Sequence, residues 1–232
     1  MGWEPDANGH DYVDLGLRVD GNKILFATCN IGASSPEGYG DYFAWGETSK
    51  RYTSIDGNTV TGATFELSNA PYHTGSSNST GWTKYIPTSK SSYWSGDGSP
   101  DNKTVLDLSD DIAHVLWGGD WRMPDSSELE LLNSSNVTYV WSSNYNSTGV
   151  AGWVFSGKGE YSSASIFLPA AGYCYDSDRS DAGDFGMYWS RSLSGIPYSA
   201  MQLYFEGGDL FTDSFGSRRA GHSVRPVLVV PE

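Results

Sequence analysis

Hydrophobic and polar positions alternate with a period of two in several short stretches, each bounded by Gly, Asn or Asp. Tyr12-Val13-Asp14-Leu15-Gly16-Leu17-Arg18-Val19 alternates, and Lys23-Ile24-Leu25-Phe26-Ala27-Thr28-Cys29 is a denser apolar run. Asp20-Gly21-Asn22 separates them. Asp-Gly is a tight-turn signal, so the pair predicts a β-hairpin. Gly38-Tyr39-Gly40-Asp41-Tyr42-Phe43-Ala44-Trp45-Gly46-Glu47 predicts a Gly-punctuated strand buried at Phe43 and Trp45. Tyr139-Val140-Trp141, Gly152-Trp153-Val154-Phe155 and Ser165-Ile166-Phe167-Leu168-Pro169 predict further short strands. Near the end, Tyr188-Trp189-Ser190 predicts a Trp-anchored strand. Met201-Gln202-Leu203-Tyr204-Phe205 predicts another, with Met201, Leu203 and Phe205 on one face. Ser223-Val224-Arg225-Pro226-Val227 reads as a strand ending at a proline.

The period changes to that of a helix in two places. Ser109-Asp110-Asp111 offers a cap and an acidic first turn, Ile112, Val115 and Leu116 follow at helical spacing, and Gly118-Gly119 stops the run. Asp125-Ser126-Ser127-Glu128 is a capping box with Asp at the cap, followed by Leu129, Leu131 and Leu132. Two stretches lack a period. Residues 1–11 are polar and predict a flexible N-terminal segment, leaving 12–232 as one domain. Residues 48–107 are rich in Ser, Thr, Asn and Gly, with scattered aromatics (Phe65, Tyr72, Trp82, Tyr85, Tyr93, Trp94) that predict a long loop pinned at several points. The apolar positions of the best-formed elements name Trp121, Trp189, Leu203, Phe205 and Val224 as core.

Composition sharpens this picture. At 232 residues one core of good size is affordable. Charged residues are 18%, while 28 Gly, 9 Trp and 15 Tyr describe a loop-rich, β-leaning chain with too many aromatics to be disordered. The net charge of −14 repels nucleic-acid phosphates and anionic membrane, which excludes both as expected partners. No apolar run is long enough to span a bilayer. Met1-Gly2-Trp3-Glu4 has neither the basic nor the apolar region of a signal peptide, and the start reads either as one engineered for expression or as a trimmed mature form, both compatible with a native leader missing from this sequence. Cys29 and Cys174 are far apart in sequence. Bridged, they would close a loop worth ~4–5 kcal/mol, and the sequence leaves open whether they meet.

A set of blocks carries a resemblance. Asp14-Leu15-Gly16-Leu17, Ala27-Thr28-Cys29-Asn30-Ile31-Gly32-Ala33, Gly40-Asp41-Tyr42-Phe43-Ala44-Trp45-Gly46-Glu47, Trp117-Gly118-Gly119-Asp120-Trp121-Arg122-Met123-Pro124, Phe167-Leu168-Pro169-Ala170-Ala171-Gly172-Tyr173, Tyr188-Trp189-Ser190 and Ser223-Val224-Arg225-Pro226-Val227 together resemble secreted and phage-encoded bacterial proteins of C-type-lectin fold. The resemblance is to the formylglycine-generating-enzyme-like branch, which includes variable proteins of diversity-generating retroelements. It implies an α+β, C-type-lectin-like fold with two helices, short antiparallel strands, a loop-rich insertion over 48–107, and termini that meet in one sheet. It implies scaffold roles for Trp189, Leu203, Phe205, Val224 and Arg225. It places a candidate variable, ligand-binding region at 186–227, with Met187, Arg191, Leu193, Ile196, Pro197, Tyr198, Tyr204, Asp209, Phe211, Asp213, Phe215, Arg219 and Ala220 facing the partner. His222 stands where the resemblance leads one to expect an aromatic such as Phe.

Catalytic and metal motifs are sparse. The enzyme branch uses a close cysteine pair, and here no second thiol lies near Cys174. The Glu-Pro-Asn, Gln-Pro-Asp and Trp-Asn-Asp elements of calcium-dependent sugar binding are missing from the C-terminal half. Asp176, Asp178, Asp181 and Asp184 form an acidic turn without the closing Glu of an EF-hand. His10, His73, His114 and His222 lack zinc spacing, and no Gly-x-Ser-x-Gly elbow occurs. Arg122 and Arg225, beside Trp121 and Pro226, read as makers of buried charge-assisted bonds. The expectation is a non-enzymatic receptor- or adhesin-type protein, without cofactor or metal, displayed outside the cell, on its surface or on a phage particle. Its partner would be a protein or glycan on a cell surface. The rival readings are a fimbria-associated structural subunit and a formylglycine-generating-type enzyme.

Overall fold

The computed structural model describes residues 6–231. The N-terminal hairpin forms as its turn chemistry requires. β1 (Tyr12–Val19) and β2 (Asn22–Ala27) pair antiparallel around Asp20-Gly21. The last strand, β13 (Val227–Pro231), pairs with the other edge of β2, so the two ends of the chain share one sheet in the order β1-β2-β13. Residues 1–5 of the segment expected to be flexible lie outside the described residues. From Asp6 onward the segment is tied down: Asp120 N–H donates to the Asp6 carbonyl (2.9 Å), and the Trp121 indole N–H to the Ala7 carbonyl (2.8 Å).

Three more sheets complete the architecture. β5 (Val137–Ser142), β6 (Gly152–Gly157) and β7 (Ser165–Pro169) form an antiparallel meander. β10 (Gly186–Leu193), β11 (Ser199–Phe205) and β12 (Leu210–Ser217) form a second. The fourth sheet has the order β3-β4-β9-β8, with β3 (Tyr52–Asp56), β4 (Thr59–Gly62), β8 (Tyr173–Tyr175) and β9 (Asp178–Ser180). The largest hydrophobic cluster lies among the first three sheets and joins Leu15, Ile24, Phe155, Leu168, Leu203 and Phe205. A second surrounds Trp45 and Trp189. Trp121, Trp189, Leu203, Phe205 and Val224 are all fully buried, as their positions in the pattern require.

The helices correct the α+β expectation. About 38% of the chain is strand and 14% helix, and the helical part is scattered in pieces of one or two turns. α1 spans Ile112–Trp117, capped by Asp111, whose carboxylate accepts from the Ala113 and Met123 amides (both within 3.1 Å). It stops at Gly118 and Gly119, which take φ of +65° and +56°, a region open to Gly at little cost. α2 spans Ser126–Glu130 with the capping box formed, then tightens into a 3₁₀ turn at Leu131–Asn133. The helical spacing was real, but each run is cut too short to build a layer. Val115 and Leu116 are 42% and 48% exposed, and only Ile112 and Ala113 of α1 are buried. The fold is therefore β-rich, with four small antiparallel sheets, in place of the two-helix α+β, C-type-lectin-like layout.

Other elements also differ. Residues 38–47 are buried at Phe43 and Trp45 but form no strand beyond a bridge from Phe43 to His222. The stretch 48–107 contains β3 and β4. The expected strand at 223–227 begins only at Val227, after a bridge from Ser223 to Tyr188.

Candidate ligand-binding surface

The β10–β12 sheet holds most of the residues assigned to the variable region. Its buried side is set by one rung, Tyr188 opposite Leu203, with Phe205 beside it in the main core. The adjacent rung runs across all three strands, Met187 opposite Tyr204 and Tyr204 opposite Phe211, and by strand alternation points the other way. Phe211 stacks on Tyr204 (centroids 5.4 Å apart), and Phe185 meets Tyr204 edge-on at 5.7 Å. Phe211 is 41% exposed and Phe215 is 52% exposed. Asp213 between them and Asp209 just before Phe211 are also exposed. The sheet thus presents an aromatic strip flanked by carboxylates.

The assigned set divides into three groups. Met187, Tyr204, Asp209, Phe211, Asp213 and Phe215 lie together on or beside this strip. Arg191, Ile196, Tyr198 and Arg219 are half-buried and, Ile196 apart, committed elsewhere. Arg191 pairs with Asp125 (3.4 Å), Arg219 with Asp176 (3.0 Å), and Tyr198 packs against Tyr93 and the Trp82 cluster. Leu193, Pro197 and Ala220 are buried, which corrects their assignment as outward-facing residues. Leu193 belongs to the Trp45–Trp189 cluster. A backbone segment rich in turns looks uniformly exposed in sequence, but these three fill gaps beneath it.

Two hollows flank the strip. One, of about 460 Å³, lies between Trp141, Phe185 and the carboxylates of Asp181, Asp184 and Glu206. The Tyr204 hydroxyl donates to Glu206 Oε2 (2.9 Å), and burial together with that carboxylate pushes the phenol up to about 12, so it stays a donor. The other, of about 260 Å³, has Met187 in its lining. Tyr173, Tyr175 and Phe215 wall it, and Gln202, Gly216 and His222 line it. Trp189 opposes Gln202, which opposes Ser214, and His222 stacks on the Trp189 ring at 3.9 Å.

These lining residues were missed in sequence, because no local pattern joins Tyr173, Gln202 and His222. The bridges of Cys174 to Gly221 and of Tyr188 to Ser223 bring β8 and the 221–223 segment beside β10. Arg218, also missed, is wholly buried over the rings of Trp82 (4.1 Å) and Trp45 (4.9 Å). It donates to the carbonyls of Pro197 (3.0 Å) and Lys84 (3.2 Å), so it fastens the 48–107 segment to the end of β12.

The remaining chemical candidates have structural partners. Cys29 and Cys174 are free thiols, and burial pushes Cys174 up to about 12, far from a reactive thiolate at neutral pH. The acidic turn disperses: Asp176 pairs with Arg219, and Asp181 and Asp184 face the larger hollow. Among the described residues no group of three His, Cys, Asp or Glu is arranged to hold a metal. His114 Nδ1 lies 3.1 Å from the Trp121 carbonyl. Arg122 forms a two-pronged pair with Glu128, and Arg225 is spent on Asn30 Oδ1 and the carbonyls of Ala27, Thr28 and Phe167. Among the described residues no helix is long and apolar enough to cross a membrane.

Comparison with known proteins adds no assignment: no family model matches the chain, and no curated protein or solved structure matches it.

Proposed function

We propose that this protein is a non-enzymatic ligand-binding protein of receptor or adhesin type, which presents the open side of β10–β12 to a protein or glycan on a cell surface. One observation carries the reading. A sheet whose inner rung is wholly buried turns Met187, Tyr204 and Phe211 outward in a single rung, with Phe215, Asp209 and Asp213 exposed around it. Rigid strands under exposed aromatics give large contact area at small entropic cost, the economy used by antibody loops. The reading places the protein outside the cell, on its surface or on a phage particle. Its resemblance to retroelement-diversified proteins extends the proposal: these outward positions would differ between copies while Trp189, Leu203 and Phe205 stay fixed.

Two experiments test it. The variant Phe211→Thr/Asp213→Ser/Phe215→Thr is expected to fold and to lose adherence to host-cell surface extracts, since aromatic anchors commonly contribute about 2 kcal/mol or more each. Full adherence by the folded variant would overturn the display reading. Genomic sequence beside the gene is expected to hold a reverse transcriptase and a near-copy of the segment encoding residues 186–227. Its absence would remove the diversification part alone.

A further inference from the structure

The smaller hollow contains two polar atoms that the fold leaves without partners. Gln202 and His222 are 5% and 2% exposed, yet Gln202 Oε1 and His222 Nδ1 have no hydrogen-bond partner. Buried polar groups are nearly always satisfied, and an orphan calls for an explanation. Both residues line the same cavity, and Gly216 closes over both. A Cβ at Gly216 would come within 2.6 Å of His222 Cε1 and 2.7 Å of Gln202 Oε1, so only glycine fits there without displacing the two groups.

We propose that this hollow is a socket for one neutral sugar residue, whose hydroxyls satisfy Gln202 Oε1 and His222 Nδ1 while its ring lies against Tyr173, Tyr175 and Phe215. The inference rests on the display reading only for its setting, since the hollow adjoins the same strip at Met187 and Phe215.

The chemistry of the lining selects the ligand. Gln202 Nε2 already donates to Ser214 Oγ (3.2 Å), so its carbonyl oxygen is the free end and needs a donor. Burial holds His222 neutral by lowering its pKa to about 3, and a neutral imidazole carries one N–H and one bare nitrogen. A hydroxyl is the group that can serve both, because it donates and accepts. No Asp, Glu, Lys or Arg lines the cavity. The adjoining Arg219 is occupied by Asp176 and lies 4.0 Å from the Tyr175 ring centroid. A charged ligand would therefore be desolvated without a counter-ion. Three aromatic walls suit the apolar face of a ring, and about 260 Å³ is below the usual ~300–1,000 Å³ of small-molecule sites, which limits the occupant to a single ring.

The test is a titration of the full chain with methyl glycosides of glucose, galactose, mannose, fucose and N-acetylglucosamine, with methyl glucuronoside as the charged control. The readout is the NMR signals of the Trp189 indole and the His222 ring. At least one neutral glycoside is expected to give saturable shifts, and the glucuronoside none. His222→Phe keeps the stack on Trp189 and removes the nitrogens, and Gln202→Met keeps the length and removes the carbonyl. His222→Phe should melt no lower than the parent, having lost an orphaned nitrogen, while Gln202→Met also gives up the bond to Ser214 Oγ and should melt slightly lower. Each should bind about tenfold or more weakly, the equivalent of a lost hydrogen bond. No saturable shift from any neutral glycoside, or equal binding by both folded variants, would overturn the socket. Failure here with cell adherence intact overturns the socket alone. Glycoside binding by a protein that adheres to no cell overturns the display reading alone.

Discussion

His222 shows how a residue's meaning depends on what surrounds it. Its ring stacks on Trp189, and full burial, with no carboxylate among its contacts, depresses its pKa from 6.5 to about 3. Between those values the unfolded chain binds a proton that the folded protein refuses, so stability is greatest above about 6.5 and falls as the pH drops towards 3, by up to about 1.4 kcal/mol per pH unit. His222→Phe removes this contribution. Chemical denaturation of the two proteins between pH 7 and pH 4 is expected to show a shallower acid decline for the variant; parallel curves would contradict the assignment. Arg218 is the opposite case, a buried cation held by aromatic rings and carbonyls, with burial lowering its pKa to about 9. Arg218→Ala leaves those carbonyls without donors and opens a cavity. It is expected to cost about 3 kcal/mol or more. Limited proteolysis should then cut within 67–102 sooner than in the parent.

At the scale of the element, β12 decides what the C-terminal region is. Its residues alternate between half-buried and exposed from Leu210 to Phe215, with Phe211, Asp213 and Phe215 exposed. As an edge strand it can lose these side chains with little effect on the core, so Phe211→Thr/Asp213→Ser/Phe215→Thr is expected to cost about 1 kcal/mol in all, mostly the stack of Phe211 on Tyr204. Tyr198 and Arg219 do not share that freedom. Tyr198 packs into the cluster of Ala70, Trp82 and Ile86, and Tyr198→Ala should lower stability by about 2 kcal/mol or more. Thermal melts of the two variants side by side check this; equal loss in both would mean that β12 also anchors the core.

For the whole molecule, the four sheets are joined by buried aromatics more than by any one layer. Trp189 sits where β10, the 43–45 segment and the 221–224 segment meet, and its indole donates to the Phe43 carbonyl (2.7 Å). Trp189→Ala is expected to cost about 3–5 kcal/mol, and wild-type-like melting would contradict this placement. Folding is expected to be independent of metal. The carboxylates of the 176–184 turn are divided between Arg219 and an open hollow, so a chelator should leave the melting temperature unchanged. A drop of several degrees reversed by calcium would contradict this.

Turn and cap chemistry made several elements legible along the chain, although the strands expected at 38–47 and 223–226 did not form. The β1–β2 hairpin follows from Asp20-Gly21, both helix starts from Asp111 and the Asp125–Glu128 box, and the burial of Leu203 and Phe205 from alternation in Met201–Phe205, which the structure breaks at half-buried Met201 and buried Gln202. It also marked Trp121, Trp189 and Val224 as buried, because large apolar groups gain most by leaving water. Only the tertiary structure decided what depends on distant segments meeting. The helix runs were legible, but their weight against the thirteen strands among the described residues was not, since two glycines and a 3₁₀ turn end them early. β12 was hidden because an edge strand with one solvated face and interspersed Gly and Ser carries little apolar period. Leu193, Pro197 and Ala220 looked like surface because burial in a turn-rich segment depends on what lies beneath it. Gln202 and His222 met for the same reason: β11 and the 221–223 segment are brought together by pairing with β10, and no spacing along a chain encodes a cavity between strands that are neighbours only in space.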